Sequence, residues 1–167
     1  MDLLTLIGEA LIFIFPAYCA NAVPVLAGGG LPMDFGRNFF DGRRIFGTNK
    51  TFRGFFFGWG IGFLVGIAEV AIFGLAKYGI MLGILTPLGA LCGDLAGAFL
   101  KRRLNIAPGG LLPIVDQINF VVGAVLFSLP LGIITWELAA TVVIITPPIH
   151  LFTNFLAFKL KLKNNPW

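Results

Sequence analysis

Two aspartates stand in or beside long apolar stretches of this sequence. Asp94 precedes Lys101 by seven residues, which places both side chains on one helix face about two turns apart. Asp116 begins the next apolar stretch, where a helix dipole alone could also explain a carboxylate. Mg²⁺ takes one or two carboxylates together with phosphate oxygens and waters. The pair Asp94 and Asp116 is therefore predicted to bind Mg²⁺ as a cofactor.

A loop rich in glycine and cations precedes the second apolar stretch, over residues 41–54. Its glycines allow close backbone approach to a ligand, and the helix that follows offers free N–H groups to an anion. We therefore predict a phosphate site, although an ordinary cytoplasmic loop with turn glycines is the alternative. A Walker motif is absent from the sequence, which argues against an ATPase-type cradle. The candidate phosphate-binding residues of this loop are Asp41, Arg43, Arg44, Lys50, Thr51 and Arg53.

The elements that must position these residues are membrane helices. Of 167 residues, 57% are hydrophobic and 12% are charged, a balance that is not typical of a soluble domain. A spanning helix needs about 20 apolar residues. The sequence thus predicts an all-α, polytopic protein with one transmembrane domain over residues 1–167 and catalytic loops at 31–53 and 101–113. The five predicted transmembrane helices are 3–26, 54–76, 80–100, 114–135 and 138–158.

The cations predict the orientation of the chain. With five spans, the cations of the two polar loops and of the C-terminal tail fall on one side, and Lys77 falls on the other. By the positive-inside rule, the loops and the C-terminus are cytoplasmic and the N-terminus is outside. The protein is thus expected in the cell membrane as a multi-pass protein with its active site facing the cytoplasm. Topology, or attraction to anionic lipids, is a sufficient explanation for the tail lysines 159, 161 and 163.

Other polar or small residues have simpler explanations. Gly89, Gly93 and Gly97 recur every four residues, which is typical of close helix packing in lipid, although ligand contact is the alternative. Glu69 is expected toward the outer end of its helix, away from the phosphate site. His150 is interpreted as a polar packing residue.

The order of these motifs resembles that of the CTP-dependent phosphatidate cytidylyltransferases. Gly42-Arg43 to Gly47 and residues 50–54 are similar to the family's Gly-Arg, Phe-Gly and Lys-Thr-Trp-Glu-Gly elements. Gly93-Asp94 followed by Lys101-Arg102 is similar to its Gly-Asp-Leu and Lys-Arg elements, and residues 116–119 take the place of Asp-Arg-x-Asp. The resemblance covers about half of the chain.

Departures from the family pattern favour its archaeal branch, the CDP-archaeol synthases. Ala98 replaces a serine, and Gln117 and Asn119 replace the arginine and the second aspartate, which puts a second metal position in doubt. The small size, the Asp-Gln variant and the segment from Asn21 to Pro24 resemble the archaeal proteins.

The resemblance implies a Mg²⁺-dependent transfer of the cytidylyl group from CTP to a lipid phosphate. The implied lipid is unsaturated archaetidic acid, an isoprenoid diether glycerol phosphate, and the products are CDP-archaeol and pyrophosphate, in archaeal phospholipid biosynthesis. No nucleic acid or protein partner is expected. The implied catalytic residues are Asp94, Asp116, Lys101 and Lys50. The implied substrate-binding residues are Arg43, Arg44, Thr51, Arg53, Arg102, Gln117, Asn21 and Asp41.

Three alternatives to this function are considered. One is a phosphatidate cytidylyltransferase that acts on a diester lipid, and another is a small anion transporter, although inverted repeats typical of transporters are not evident. The third is a CDP-alcohol phosphotransferase, whose longer run of aspartates is missing from this sequence.

Overall fold

The computed structural model describes residues 2–74, 79–163 and 165–166. In this part of the chain the structure is α-helical, with two isolated bridges and no strand, as the composition predicts. Lys77, predicted on the outer side, lies outside the described residues. The helices are α1 (Leu3–Ala27), α2 (Phe52–Phe73), α3 (Gly79–Arg103), α4 (Val115–Ser128) and α5 (Trp136–Lys159), and a 3₁₀ turn, Leu129–Leu131, follows α4.

Four of these helices, α1, α2, α3 and α5, are long and apolar enough to cross a membrane. The bounds of the fourth predicted helix, 114–135, are corrected, because the α-helix there covers only Val115–Ser128 and gives way to the 3₁₀ turn. Pro130 has no backbone N–H to continue an α-helix, and Gly132 then adopts a left-handed φ of 67°. The predicted catalytic loops also shorten, since 52–53 belong to α2 and 101–103 to α3.

Side-chain caps begin three of the long helices. Asp2 accepts a hydrogen bond from the Thr5 amide at 2.7 Å at the start of α1. Thr51 caps α2, and Thr135 caps α5, each through a side-chain oxygen that accepts from a backbone N–H three residues later at 3.2 Å. These caps satisfy N–H groups that have no partner within the helix. The polar positions next to the apolar stretches therefore define the helix starts.

Helices α3 and α4 pack with their backbones in close approach. A Cβ atom added at Gly93 would lie 2.2 Å from the carbonyl oxygen of Asn119, and one at Gly89 would lie 2.4 Å from that of Gly123. Gly97 faces the Asn119 side chain in the same way. The prediction that these glycines serve helix packing is confirmed.

Helix α2 uses a second row of glycines against α1 and α3. Gly58 approaches the carbonyl oxygen of Ala20, Gly62 lies between Pro16 and Pro87, and Gly66 lies against Gly83. Helix α5 packs on α1 and α4, and the Tyr18 and Thr146 hydroxyls, 2.8 Å apart, join α1 to α5. The core between the helices is formed by Ala10, Phe13, Ile14, Ala17, Leu82, Ala90, Phe120, Val121, Ala124, Leu138 and Val142.

Candidate active site

The segment between α1 and α2 is organised around Asp34. Its carboxylate accepts two hydrogen bonds from Arg44, at 2.5 and 3.1 Å, and backbone N–H bonds from Gly36, Phe46 and Gly47 at 2.9–3.1 Å. Asp34 is only 3% exposed. Burial alone would raise its pKa, but these hydrogen bonds outweigh burial and hold the pKa well below its usual range. The loop therefore has a charged, fully hydrogen-bonded centre.

Arg103 at the end of α3 fastens this segment to the helix bundle. Its guanidinium bonds to Asp41 at 3.0 Å and donates to the backbone oxygens of Arg43 and Arg44 at 3.2 and 2.6 Å. It also lies between the rings of Phe39 and Phe99, 4.9 and 4.8 Å from their centroids.

Arg43 makes the reciprocal contact, because its guanidinium donates to the carbonyl oxygens of Arg102 and Arg103. Cations at the end of a helix satisfy carbonyl groups that have no partner within it. These contacts thus fix the position of the loop relative to α3.

This placement of the loop brings Lys50 next to Asp94. The Lys50 ammonium donates to Asp94 Oδ2 at 2.5 Å, and both side chains are about one quarter exposed, at 28% and 24%. The Lys50 carbonyl accepts from the Met33 amide at 2.8 Å, which fixes the backbone that carries the lysine. The next residue, Thr51, is buried as the cap of α2. A loop cation and a helix carboxylate, 44 residues apart in sequence, therefore form one ion pair.

A second pair joins α3 to the start of α4. The Lys101 ammonium donates to both oxygens of Asp116, at 2.9 and 2.8 Å. The Leu112 amide also donates to Asp116, at 2.8 Å. Ile114, which lies between Leu112 and Asp116 in the sequence, has a φ of 66°. This positive value is rare for a β-branched residue. The turn before α4 is thus shaped to bring the carboxylate back over Lys101.

Both ion pairs line one cleft of about 1500 Å³. It is polar at the end where the two loops meet, and apolar side chains of α1 and α2 such as Leu11, Phe15, Val65 and Ile72 line it farther along. Glu69, expected to lie away from the site, lines this mainly apolar part of the same cleft. A cleft with two ion pairs at one end and mainly apolar side chains along α1 and α2 suits an amphiphile with an anionic head. The predicted site residues that line it are Asn21, Lys50, Thr51, Asp94, Lys101, Arg102 and Asp116.

Five other predicted residues are not among those that line the cleft. Arg44 and Asp41 are engaged by Asp34 and Arg103, and Arg43 lies on the end of α3. Arg53 is exposed on α2, 6.0 Å above the Phe57 ring. Gln117 is half-buried in the first turn of α4. The structure gives the first three a part in holding the loop that carries Lys50.

The residues missed by sequence reasoning are polar groups that no sequence motif marks. Asp34 lies in a loop with no motif around it, and its partner Arg44 is ten residues away. His150, Asn154 and Lys163 line the same cleft as the two ion pairs. The intramembrane position of Asn154, one helical turn after His150, was the one available signal.

The donor set of the cleft suits a hard divalent cation. Asp94 and Asp116 are carboxylates that line the same space, and Mg²⁺ is typically held by one or two carboxylates while substrate phosphates and waters complete its shell. Over the described residues, no group of three or more His, Cys, Asp or Glu side chains is close enough to hold a metal. Asp94 and Asp116 therefore fit a cation whose shell is completed by phosphate oxygens and waters.

Fold and site together define a helical protein of the multi-pass membrane class, with a cleft lined by two lysine–aspartate ion pairs. The sequence pattern of the CarS-like CDP-archaeol synthase family matches residues 3–167. The chain belongs to this family, so the family predicted from the sequence is confirmed.

Individual relatives agree with this assignment. The CDP-archaeol synthase of Methanococcus aeolicus is 42% identical over 178 residues, with 100% of both chains covered. That of Pyrococcus furiosus is 44% identical over 162 residues and covers 95% of this chain and 97% of its own. A solved structure of an intramembrane enzyme for archaeal membrane lipids biosynthesis has a TM-score of 0.83 and 39% identity, and covers 89% of this chain and 94% of its own.

Proposed function

We propose that the protein transfers the cytidylyl group of CTP to unsaturated archaetidic acid and forms CDP-archaeol and pyrophosphate. One observation carries the proposal: two lysine–aspartate pairs, Lys50–Asp94 and Lys101–Asp116, line one end of a cleft whose walls along α1 and α2 are mainly apolar. This arrangement suits a reaction between a water-soluble nucleotide and a lipid phosphate. Membership of the CDP-archaeol synthase family supports the same activity.

In this reaction an oxygen of the lipid phosphate attacks the α-phosphorus of CTP. A new P–O bond forms, the bond between the α-phosphorus and its bridging oxygen breaks, and pyrophosphate leaves with that oxygen. A phosphate monoester has a second pKa near 6, so the attacking group is already largely ionised at neutral pH and needs no strong base. The protein contributes alignment of the two phosphates and neutralisation of their charge.

The lysines and the aspartates of the two ion pairs have different roles in this reaction. Lys50 and Lys101 can turn from their carboxylates toward phosphate oxygens, since a lysine side chain is a flexible point charge. Asp94 and Asp116 would then hold Mg²⁺, which supplies charge neutralisation at the phosphates. Arg102, which is 8% exposed and lines the cleft, adds a fixed positive charge.

For the membrane topology, we propose that all five helices cross and that the charged end of the cleft faces the cytoplasm. Residues 115–131 extend over roughly 25 Å at 1.5–2.0 Å per residue, close to the hydrocarbon thickness. The cations of the loops and the tail gather at one end of the bundle, as the contacts of Arg43 with Arg103 and of the tail residue Asn165 with Gly109 indicate. The positive-inside rule then assigns this end to the cytoplasm and the N-terminus to the outside.

The decisive experiment follows the label of CTP into the product. Purified protein is given Mg²⁺, unsaturated archaetidic acid and CTP that is labelled at either the α- or the γ-phosphorus. Cytidylyl transfer puts the α-label in the lipid and the γ-label in pyrophosphate. A γ-label in the lipid would indicate a kinase, and the absence of labelled lipid from folded protein would contradict the proposal.

A matched pair of lipids tests the substrate class. The diether glycerol phosphate and a diester phosphatidic acid are compared at equal surface concentration under the same conditions. The proposal predicts a higher kcat/KM for the diether. Preference for the diester would retain the cytidylyl transfer but overturn the assignment of the lipid.

A further inference from the structure

The loop between α1 and α2 exposes three aromatic side chains. Phe35 is 59% exposed, Phe40 is 98% exposed, and Phe39 between them in the sequence is also exposed. A phenylalanine side chain gains free energy when it leaves water, and a group of exposed apolar side chains is typical of an interaction site. These three residues are called the aromatic surface of the loop.

Phe40 lies in a turn that is fixed to the end of α3. The Gly42 amide donates to the Phe39 carbonyl oxygen at 3.0 Å and closes the turn. Asp41 pairs with Arg103 at 3.0 Å, and the Arg103 guanidinium lies 4.9 Å from the centre of the Phe39 ring. The turn is thus held by α3 on one side, while the Phe40 ring is left open to its surroundings.

Phe35 extends the exposed aromatic face of α2. Its ring lies 5.2 Å from the ring of Phe52, the first residue of α2. Phe56, one turn further along the same face of the helix, is 59% exposed and lies outside the cleft. Because α2 is long and apolar enough to cross a membrane, this face of the helix meets lipid. A continuous aromatic surface therefore runs from the lipid-facing side of α2 onto the loop.

The backbone at Phe35 has a costly conformation. Its φ is 51°, a left-handed value that is uncommon for a residue other than glycine and unfavourable for a bulky one. The Phe35 amide donates to the Pro32 carbonyl oxygen at 3.0 Å, and the buried Asp34 accepts from the Gly36 amide at 3.0 Å. Strained backbone that its surroundings hold in place is typical of functional segments. The position of the Phe35 ring is therefore imposed by the loop.

We propose that the aromatic surface of the loop inserts into the bilayer leaflet at the end of the bundle where α2 begins and α3 ends. Aromatic side chains favour the boundary between head groups and acyl chains, and elements that lie in this boundary bury their apolar side chains about 5–10 Å deep. Continuity with the lipid-facing side of α2 favours a leaflet over a protein partner. Arg53, exposed in the first turn of α2, adds a cation that attracts anionic head groups. This contact does not depend on the proposed cytidylyl transfer.

Nitroxide labels measure the depth of the loop directly. The free cysteines Cys19 and Cys92 are replaced by alanine, and single labels are attached to Phe40→Cys, Thr48→Cys and Phe57→Cys. The protein is reconstituted in vesicles of phosphatidylcholine and phosphatidylglycerol, and thermal unfolding checks that each variant is folded. Collision with oxygen, which concentrates in the bilayer, is compared with collision with a water-soluble nickel chelate. Phe57, exposed on α2, is the reference in lipid, and Thr48, an exposed loop residue that lines the cleft, is the reference in water.

The ratio of oxygen to nickel collisions decides where the loop lies. We expect the ratio at position 40 to be close to that at position 57 and well above that at position 48. Burial of a side chain as large as phenylalanine favours the inserted state by about 10- to 100-fold. A ratio equal to that at position 48 would place the turn in water and overturn the inference. Protection from both reagents would indicate that protein, such as a second copy of the chain, covers Phe40, and would overturn the choice of a leaflet.

A tryptophan variant gives a second measurement without cysteine replacement. Phe40→Trp and Thr48→Trp are compared with the unaltered protein in vesicles whose lipids carry bromine close to the head groups. The fluorescence added by Phe40→Trp should be blue-shifted and quenched by bromine, and that added by Thr48→Trp should not. Equal emission and quenching for the two variants would contradict the inference. Both measurements are made without substrates, so failure to make CDP-lipid would count against the proposed function alone.

Discussion

Helices α3 and α5 both border the cleft, but they are built differently. In the apolar 18-residue window of α3, 44% is buried, against 11% in that of α5. Helix α3 lies against α4 through glycines, with Gly93 directly beside Asp94. The apolar face of α5 is largely open, and its polar residues reach the cleft near its C-terminal end. The carboxylates that need a fixed geometry thus come from the close-packed side, and the open side leaves room for a lipid.

Breaking the close-packed side should have the largest effect. In Gly93→Ala the new Cβ would lie 2.2 Å from the Asn119 carbonyl oxygen, so α3 and α4 must separate. We expect a destabilisation of about 3 kcal/mol or more and loss of activity, measured by thermal unfolding in detergent. Gly60→Ala is the control, since nothing lies within 4 Å of a Cβ added there. Equal unfolding temperatures for the two variants would contradict the packing described for α3 and α4.

The loop that carries Lys50 should be the next most sensitive region. Asp34→Asn removes the charge that accepts from Arg44 and from three backbone amides. We expect the folded loop to be destabilised by about 2–3 kcal/mol. Activity should fall strongly, whereas the unfolding temperature of the helices should change little. The rate of protease cleavage at the loop arginines measures the opening of this segment. If Asp34→Asn is cleaved no faster than the unaltered protein, Asp34 does not hold the loop together.

The lowered pKa of Asp34 also predicts the direction in which stability changes with pH. Because the folded pKa of Asp34 is lowered, the unfolded state binds its proton more readily than the folded state does. The stabilisation is therefore fully present above the unfolded pKa of about 3.9 and is lost as the pH falls toward the folded value. The difference in unfolding temperature between the unaltered protein and Asp34→Asn should shrink below about pH 4. A difference that grows on acidification would contradict the sign.

A smaller effect is expected where the loop is fastened to α3. Arg103→Lys keeps the charge but removes the planar guanidinium. That group contacts Asp41 and two carbonyl oxygens and lies between two aromatic rings. We expect kcat/KM to fall about 10-fold with a change of about 1 kcal/mol in stability. Arg37→Lys, at an exposed loop position, provides the control. Indistinguishable kinetics for the two variants would show that the fastening is not needed for activity.

What the sequence could predict depends on whether a signal is local. Asp94 and Asp116 are conspicuous because carboxylates are costly in or beside apolar stretches, and Lys50 follows from the glycine-rich loop. Asp34 could not be found in this way, since its role depends on how the loop folds back to Arg44. The reversal at Lys161, which has a left-handed φ of 59°, could not be predicted either, since no glycine marks it.

Helix boundaries show the same limit. Hydropathy predicted one span over 114–135, but Pro130 and Gly132 end the regular helix within it. A hydropathy window averages over such residues, whereas the backbone hydrogen bonds depend on each of them. The number of apolar segments was therefore predictable, but the α-helical length of the fourth was not.

The central claim is that Asp94 and Asp116, although on different helices, serve one reaction. The most direct test measures CDP-lipid synthesis by Asp94→Asn and Asp116→Asn over a range of Mg²⁺ concentrations, with Glu137→Gln as the control carboxylate at the start of α5. We expect a loss of more than about 100-fold in both variants, a higher Mg²⁺ requirement in any residual activity, and no comparable change in the control. Full activity of either folded aspartate variant at the normal Mg²⁺ concentration would contradict it.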